Sequence, residues 1–150
     1  MTTRALNVAL ITGSTRKSGP PTVLHPRVNA SIQNMLVKRG HNVTQIDPVE
    51  FSLLDKPYFG FASGKAPVNL QEIHSVLCAA HCYVCVTPEY NHSPSPGLLN
   101  ILNHFGSSAF SFKPSAIVTY SGGQWGGTRA AVALRSTLSE LGCLPVSAMM

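Results

Sequence analysis

Five short apolar runs, separated by stretches with helical spacing, constrain this chain more than any other feature. They are Leu6–Thr12 (LNVALIT), Asn42–Asp47 (NVTQID), Cys82–Thr87, Ser115–Tyr120 (SAIVTY) and Leu144–Met149. After the first, Val28, Ile32, Met35 and Leu36 recur at i, i+4, i+7 and i+8, one face of a helix. Pro26 suits its first helical position and Gly40 its stop. Asn69 and Glu72 have the spacing of a capping box before Leu70, Ile73, Val76 and Leu77. Ser95-Pro96 opens a helix carrying Leu98, Leu99, Ile101, Leu102 and Phe105, which Gly106 ends. Thr128 is placed to cap a last helix with Val132, Leu134, Leu138 and Leu141 apolar, and Gly142 stops it. Strands alternating with helices predict a parallel sheet covered by helices, because parallel neighbours need long crossovers. Those crossovers are expected to be right-handed, with ligands gathering beyond the carboxyl ends of the strands. Residues 48–68 keep no period, although Phe51, Leu53, Leu54, Tyr58, Phe59 and Phe61 are apolar. They read as a packed loop, with an aromatic lid over a ligand as the alternative.

The chain has 150 residues, enough for one domain with one core over residues 1–150, and no internal repeat or linker divides it. With 44% hydrophobic and 11% charged residues, it is not an ordinary disordered chain. No apolar stretch reaches the roughly 20 residues of a bilayer-spanning helix. The apolar start lacks the cleavage site of a signal peptide and reads as a strand. Lysine and arginine total 11 against 6 acids, a net charge of +5. The bases are scattered, without the basic stripe and interleaved aromatics of a nucleic-acid surface. A small anionic ligand fits better, and so few acids make a carboxylate-rich metal site unexpected.

The four cysteines are Cys78, Cys82, Cys85 and Cys143. Cys82-Tyr83-Val84-Cys85 is formally C-x-x-C, with His74 and His81 nearby, so a zinc or thioredoxin-type reading must be weighed. Residues three apart on a strand point to opposite faces, which keeps the two sulfurs from closing on one metal. A redox pair also needs a helix N-terminus to lower its thiol pKa. The cysteines are therefore read as small core residues, no metal is expected, and a reduced cytoplasmic setting follows.

Most of the unusual chemistry stands in three loops at strand ends. The first is Gly13-Ser14-Thr15-Arg16-Lys17-Ser18-Gly19. Its hydroxyls, backbone N–H groups and cation can cradle a phosphate. It is neither a Walker loop nor the G-x-G-x-x-G dinucleotide fingerprint. The second is Thr87-Pro88-Glu89-Tyr90-Asn91-His92-Ser93-Pro94, a stiff segment whose flat and amide groups suit a planar heterocycle. Within it Glu89 and His92 also read as plain solvated loop residues. The third is Tyr120-Ser121-Gly122-Gly123-Gln124-Trp125-Gly126-Gly127-Thr128. Its glycines let backbone approach a ligand closely. Its tryptophan reads equally as a ligand contact or as a hydrophobic plug or subunit contact.

Together, GSTR after strand one, PEYN after strand three and SGGQWGG after strand four resemble the NAD(P)H-dependent FMN reductase family. That flavodoxin-like group includes quinone, chromate and azo-dye reductases. The similarity extends over nearly the whole chain, including Gly97-Leu98-Leu99-Asn100. It implies a doubly wound five-stranded parallel sheet of order 2-1-3-4-5. It also implies FMN as cofactor, with NADPH or NADH as co-substrate. Ser14, Thr15, Arg16 and Ser18 match the loop that holds the FMN phosphate. Pro88, Glu89, Tyr90 and Asn91 match the segment along the isoalloxazine ring, and Ser121, Gly122, Gly123 and Gln124 the segment flanking it from the other side.

Two features depart from the family pattern. Ser18–His25 (SGPPTVLH) is longer than the family's common loop. The chain also stops just after the fifth strand, so the family's C-terminal helix is expected to be missing and an apolar sheet face exposed. The resemblance implies hydride transfer from NAD(P)H through bound FMN to a small acceptor such as a quinone. The flavin carries the chemistry, so no catalytic side chain is required. A homodimer or homotetramer is expected, with neither nucleic acid nor membrane as partner. The rival reading is a flavin-binding protein without turnover, a sensor, carrier or truncated regulator. A domain binding phosphorylated metabolites without flavin is the third.

Overall fold

The computed structural model describes residues 4–49 and 66–150. The aromatic residues between 51 and 61, and with them the lid reading, lie outside the described residues. In chain order the elements are β1 (Asn7–Thr12), α1 (His25–Lys38), β2 (Asn42–Ile46), α2 (Val68–Ala79), β3 (Cys82–Tyr90), β4 (Ser93–Pro94), α3 (Pro96–Asn103), α4 (Ser107–Phe110), β5 (Pro114–Tyr120), α5 (Thr128–Glu140) and β6 (Leu144–Met149). The sheet order is β2-β1-β3-β5-β6, with every neighbouring pair parallel. With β4 set aside, this is the expected order 2-1-3-4-5. The addition is β4, a two-residue strand antiparallel to the end of β3. It makes β3 run on to Tyr90, three residues beyond the sequence expectation. The turn between them places Asn91 and His92 at positive φ, 49° and 65°. Asn tolerates that conformation better than most residues.

Both faces of the central strands are buried, which is why they read as continuous apolar runs rather than alternations. On β1, Val8 and Leu10 face α1 and pack with Ile32, Val84, Val86 and Val118. Ala9 and Ile11 face the other way, into the larger core of Leu70, Leu77, Leu98, Ile101, Leu102, Leu134 and Leu138 from α2, α3 and α5. Each such leucine, fully removed from water, stabilises the fold by roughly 1.5–3 kcal/mol before cavity terms.

The cysteines obey the strand geometry. Cys82 packs on the α1 side while Cys85 is fully buried on the opposite face, and all four thiols are free. Burial pushes the Cys82 and Cys85 thiols up, the reverse of an activated nucleophile. His81 is engaged elsewhere, its Nδ1 accepting the Asn7 N–H at 2.8 Å.

Two caps differ from expectation. Helix α2 begins at Val68 after Pro67, and among the described residues no side chain caps it, so Asn69 and Glu72 form no capping box. Before α5 the cap position belongs to Gly127 rather than Thr128. The Thr128 hydroxyl donates instead to the Trp125 carbonyl at 2.8 Å. Gly127 has φ of +100°, and a Cβ there would lie 2.8 Å from Thr119, so glycine is required on both counts. Past α5, β6 carries exposed Leu144, Val146 and Met149. A groove of about 210 Å³ runs on the α1 side among Leu6, Val8, Val84, Ala116 and Val146. No helix among the described residues is long and apolar enough to cross a membrane.

Candidate functional site

The loops after β1, β3 and β5 meet at the carboxyl end of the sheet around one cavity of about 510 Å³. That volume falls within the roughly 300–1,000 Å³ of small-molecule sites. A buried hydrogen-bonded knot sets the first loop. Ser95 Oγ donates to the Gly13 carbonyl at 2.6 Å and accepts the Leu98 N–H at 3.4 Å, capping α3 as its position predicts. The Ser95 N–H donates to Thr87 Oγ1 at 2.9 Å, joining the end of β3. Backbones approach so closely here that side chains are excluded. A Cβ on Gly13 would stand 2.6 Å from Ser95 Oγ, and one on Gly97 would stand 2.7 Å from the Gly13 carbonyl.

The cavity wall takes in Ser14, Arg16, Pro88, Glu89, Tyr90, Ser121, Gly122 and Gly123. Ser14 is buried, and its Oγ accepts the Arg16 N–H at 3.4 Å. The Arg16 guanidinium holds its own loop, donating through Nη2 to the carbonyls of Gly19 and Pro21. This uses two of the five N–H donors of a guanidinium. Among the described residues the others remain for an anion.

Glu89 does not behave as a solvated charge. Its Oε2 accepts the backbone N–H groups of Arg129 at 3.0 Å and Ala130 at 3.1 Å. A carboxylate there satisfies two of the unpaired donors at the α5 N-terminus and complements the helix dipole. Glu89 thereby does what Thr128 was expected to do, and ties two cavity walls together. At Gly122, by contrast, a Cβ meets no atom of the described residues within 4 Å, and its φ is ordinary. The glycine leaves room on the cavity side; no backbone strain demands it.

The remaining sequence candidates stand outside this lining. The Thr15 methyl packs toward Gly97, Ser18 is exposed, Asn91 occupies the β3–β4 turn, and Gln124 is exposed beyond the third loop. His92 is an exposed turn residue, as its plain reading has it.

The sequence reading gave no ligand-binding role to two parts of the wall. One is Pro20–His25, the segment marked only for its length. It ends in an imidazole at the start of α1 whose Nδ1 is buried without a hydrogen-bond partner among the described residues. Two consecutive prolines between the anion loop and a helix were the available signal. The other is Tyr120, whose burial pushes its phenol up to about 12 against a lowering hydrogen bond with Ser14. Its place as the last residue of a central strand pointed to it.

The family model described as NADPH-dependent FMN reductase matches residues 6–150. An NADPH azoreductase from Bacillus sp. (strain OY1-2) is 32% identical over 82 residues, spanning 55% of this chain and 46% of that protein. Among solved structures, the flavoenzyme NAD(P)H:(acceptor) oxidoreductase FerB from Paracoccus denitrificans superposes with a TM-score of 0.76 at 20% identity, covering 95% of this chain and 76% of that one. The NAD(P)H:quinone oxidoreductase from Methanothermobacter marburgensis gives 0.72 at 13% identity, covering 98% and 86%. At these identities the structural likeness speaks for the flavodoxin-like fold.

Proposed function

This chain belongs to the NADPH-dependent FMN reductase family, and on that premise we propose that it passes reducing equivalents from NADPH or NADH through FMN to a small acceptor such as a quinone. The observation that carries the proposal is the convergence of an anion-binding loop, a stiff aromatic segment and an open glycine loop on one cavity. The residues present fit the flavin. Ser14 and Arg16 offer polar groups for a phosphate, with His25 also in the wall. Pro88, Glu89 and Tyr90 share the cavity wall with Ser121–Gly123, where the missing side chain of Gly122 leaves space. Thr15, Ser18, Asn91 and Gln124 complete the assigned loops from outside the lining.

When bound, the flavin supplies the hydride chemistry. The protein's part is to bind and orient. Arg16 and Ser14 neutralise and hold the phosphate. The Glu89 carboxylate, committed to the α5 N-terminus, fixes the spacing of the two ring-facing loops. We place this activity in the cytoplasm and in a homodimer or homotetramer. The test titrates FMN and riboflavin against the parent chain and Arg16→Ala, and follows NADPH oxidation with an added quinone. Riboflavin lacks the phosphate, so Arg16→Ala is expected to weaken FMN by roughly 1.5–3 kcal/mol and riboflavin much less. Equal weakening of both, or no quinone-dependent NADPH oxidation by the FMN-loaded parent, overturns the reading.

A further inference from the structure

One of the four thiols departs from the reading of the cysteines as core residues. Cys85 and Cys143 are buried and Cys82 is half-buried, and burial pushes all three thiols up. Cys78 is exposed, one residue before the end of α2. That end leads into the start of β3, so it lies at the opposite end of the sheet from the cavity.

Cys78 belongs to a cluster drawn from three elements. His74 precedes it by one helical turn, with Nε2 3.6 Å from Sγ. The imidazole is stacked on Phe105, just past α3, with ring centroids 6.1 Å apart and planes inclined by 21°. From just before β5, Lys113 Nζ donates to the carbonyls of Leu77 and Cys78, both at 2.9 Å. These carbonyls end the helix, beyond the reach of any later helical N–H. Tyr83 is the other titratable group here; its hydroxyl donates to the same Leu77 carbonyl at 3.0 Å, and its ring centroid is 5.5 Å from Lys113 Nζ. The ammonium reverses the negative sign that the helix dipole gives this end, and among the described residues no carboxylate pairs with it.

The cluster therefore combines a nucleophile, a base within its reach, a ring that orients the base, and a cation that lacks an anionic partner. A metal does not suit it, because among the described residues no group of three His, Cys, Asp or Glu side chains comes together. An anionic, thiol-reactive molecule does.

We propose that Cys78, with His74 as its base and Lys113 as the anion contact, is a site of reversible thiolation by anionic low-molecular-weight disulfides such as glutathione disulfide. The thiol gives its proton to His74, and its sulfur attacks one sulfur of the incoming disulfide. A new S–S bond to Cys78 forms as the incoming S–S bond breaks. Cys78 is oxidised, the incoming disulfide is reduced, and the departing thiolate takes the proton from His74. Lys113 meets a carboxylate of the incoming molecule.

The purified, reduced protein is incubated with glutathione disulfide at pH 7, and adducts are located by mass spectrometry over time. The first adduct is expected on Cys78, released by dithiothreitol and absent at that position in Cys78→Ser. His74→Gln should slow its formation roughly tenfold or more at pH 7. Near pH 9.5, where an ordinary thiol is mostly ionised unaided, the same variant should match the parent. A role for His74 in packing alone would slow both. The parent should react faster with glutathione disulfide than with uncharged 2-hydroxyethyl disulfide, and Lys113→Gln should lose that preference while Lys113→Arg keeps it. Thermal melts of each variant confirm that it is folded before its rate is compared. A first adduct on Cys82, Cys85 or Cys143, no adduct on Cys78, a His74→Gln variant as fast as the parent at pH 7 or slowed equally at both pH values, or a Lys113→Gln variant with the parental preference overturns the site.

Discussion

Replacing Glu89 tests whether one carboxylate both caps α5 and joins two walls of the cavity. Its Oε2 accepts two backbone N–H groups, from Arg129 at 3.0 Å and Ala130 at 3.1 Å. Among the described residues no other side chain caps this helix. Losing an N-terminal cap costs about 0.5–2 kcal/mol. Losing a negative charge at the positive end of the helix dipole costs about 0.3–1 kcal/mol more. Glu89→Ala should therefore lower stability by about 1–3 kcal/mol. Glu89→Gln keeps an acceptor oxygen at the same reach and should lose only the charge contribution, about 0.3–1 kcal/mol. Urea unfolding of the flavin-free proteins measures both, because bound ligand would add its own stabilisation. The midpoint should fall in the order parent, Gln, Ala, with an unchanged slope. An Ala variant within about 0.5 kcal/mol of the parent, the scatter of ordinary surface substitutions, would refute the capping argument.

Gly13→Ala should cost about 1–3 kcal/mol in a thermal melt, since its Cβ would stand 2.6 Å from Ser95 Oγ and 2.7 Å from Leu98 Cβ. Gly122→Val should keep a near-parental melting temperature, because its backbone is unstrained and its surroundings open, while fluorescence quenching shows FMN binding lost. Unchanged FMN affinity in that variant would show that the glycine loop does not face the ring. Burial pushes the Tyr120 phenol up to about 12 from 10 and the Cys143 thiol up to about 11 from 9. The unfolded chain therefore releases these protons first, and urea midpoints should fall as pH rises from about 9 to 12; a flat profile would contradict the shifts.

The fold was legible where one element's own residues decide its state. The LNVALIT and SAIVTY runs, the Val28–Leu36 period and the Ser95 cap all depend on local spacing. They delivered the strand–helix alternation and the cavity's place beyond β1, β3 and β5, while the strand order came with the family resemblance. Opposite-face burial of Cys82 and Cys85 followed from strand geometry alone. What escaped was tertiary. Glu89 reaches a helix that begins 39 residues later, so its capping role leaves no local signature, and Thr128 looked the better cap. The wall from Pro20 to His25 is apolar and turn-rich without period, so only its packing across the cavity reveals its place. Asn91 reads as a ligand amide, yet its tolerance of positive φ suits the β3–β4 turn that lengthens β3.

The most direct test of the central claim is anaerobic mixing of the FMN-loaded chain with NADPH, followed by the flavin's visible absorbance. The account predicts that the yellow band bleaches with one NADPH consumed per bound flavin, then returns when a quinone is added. A chain that binds FMN at this cavity but stays yellow in excess NADPH would contradict it.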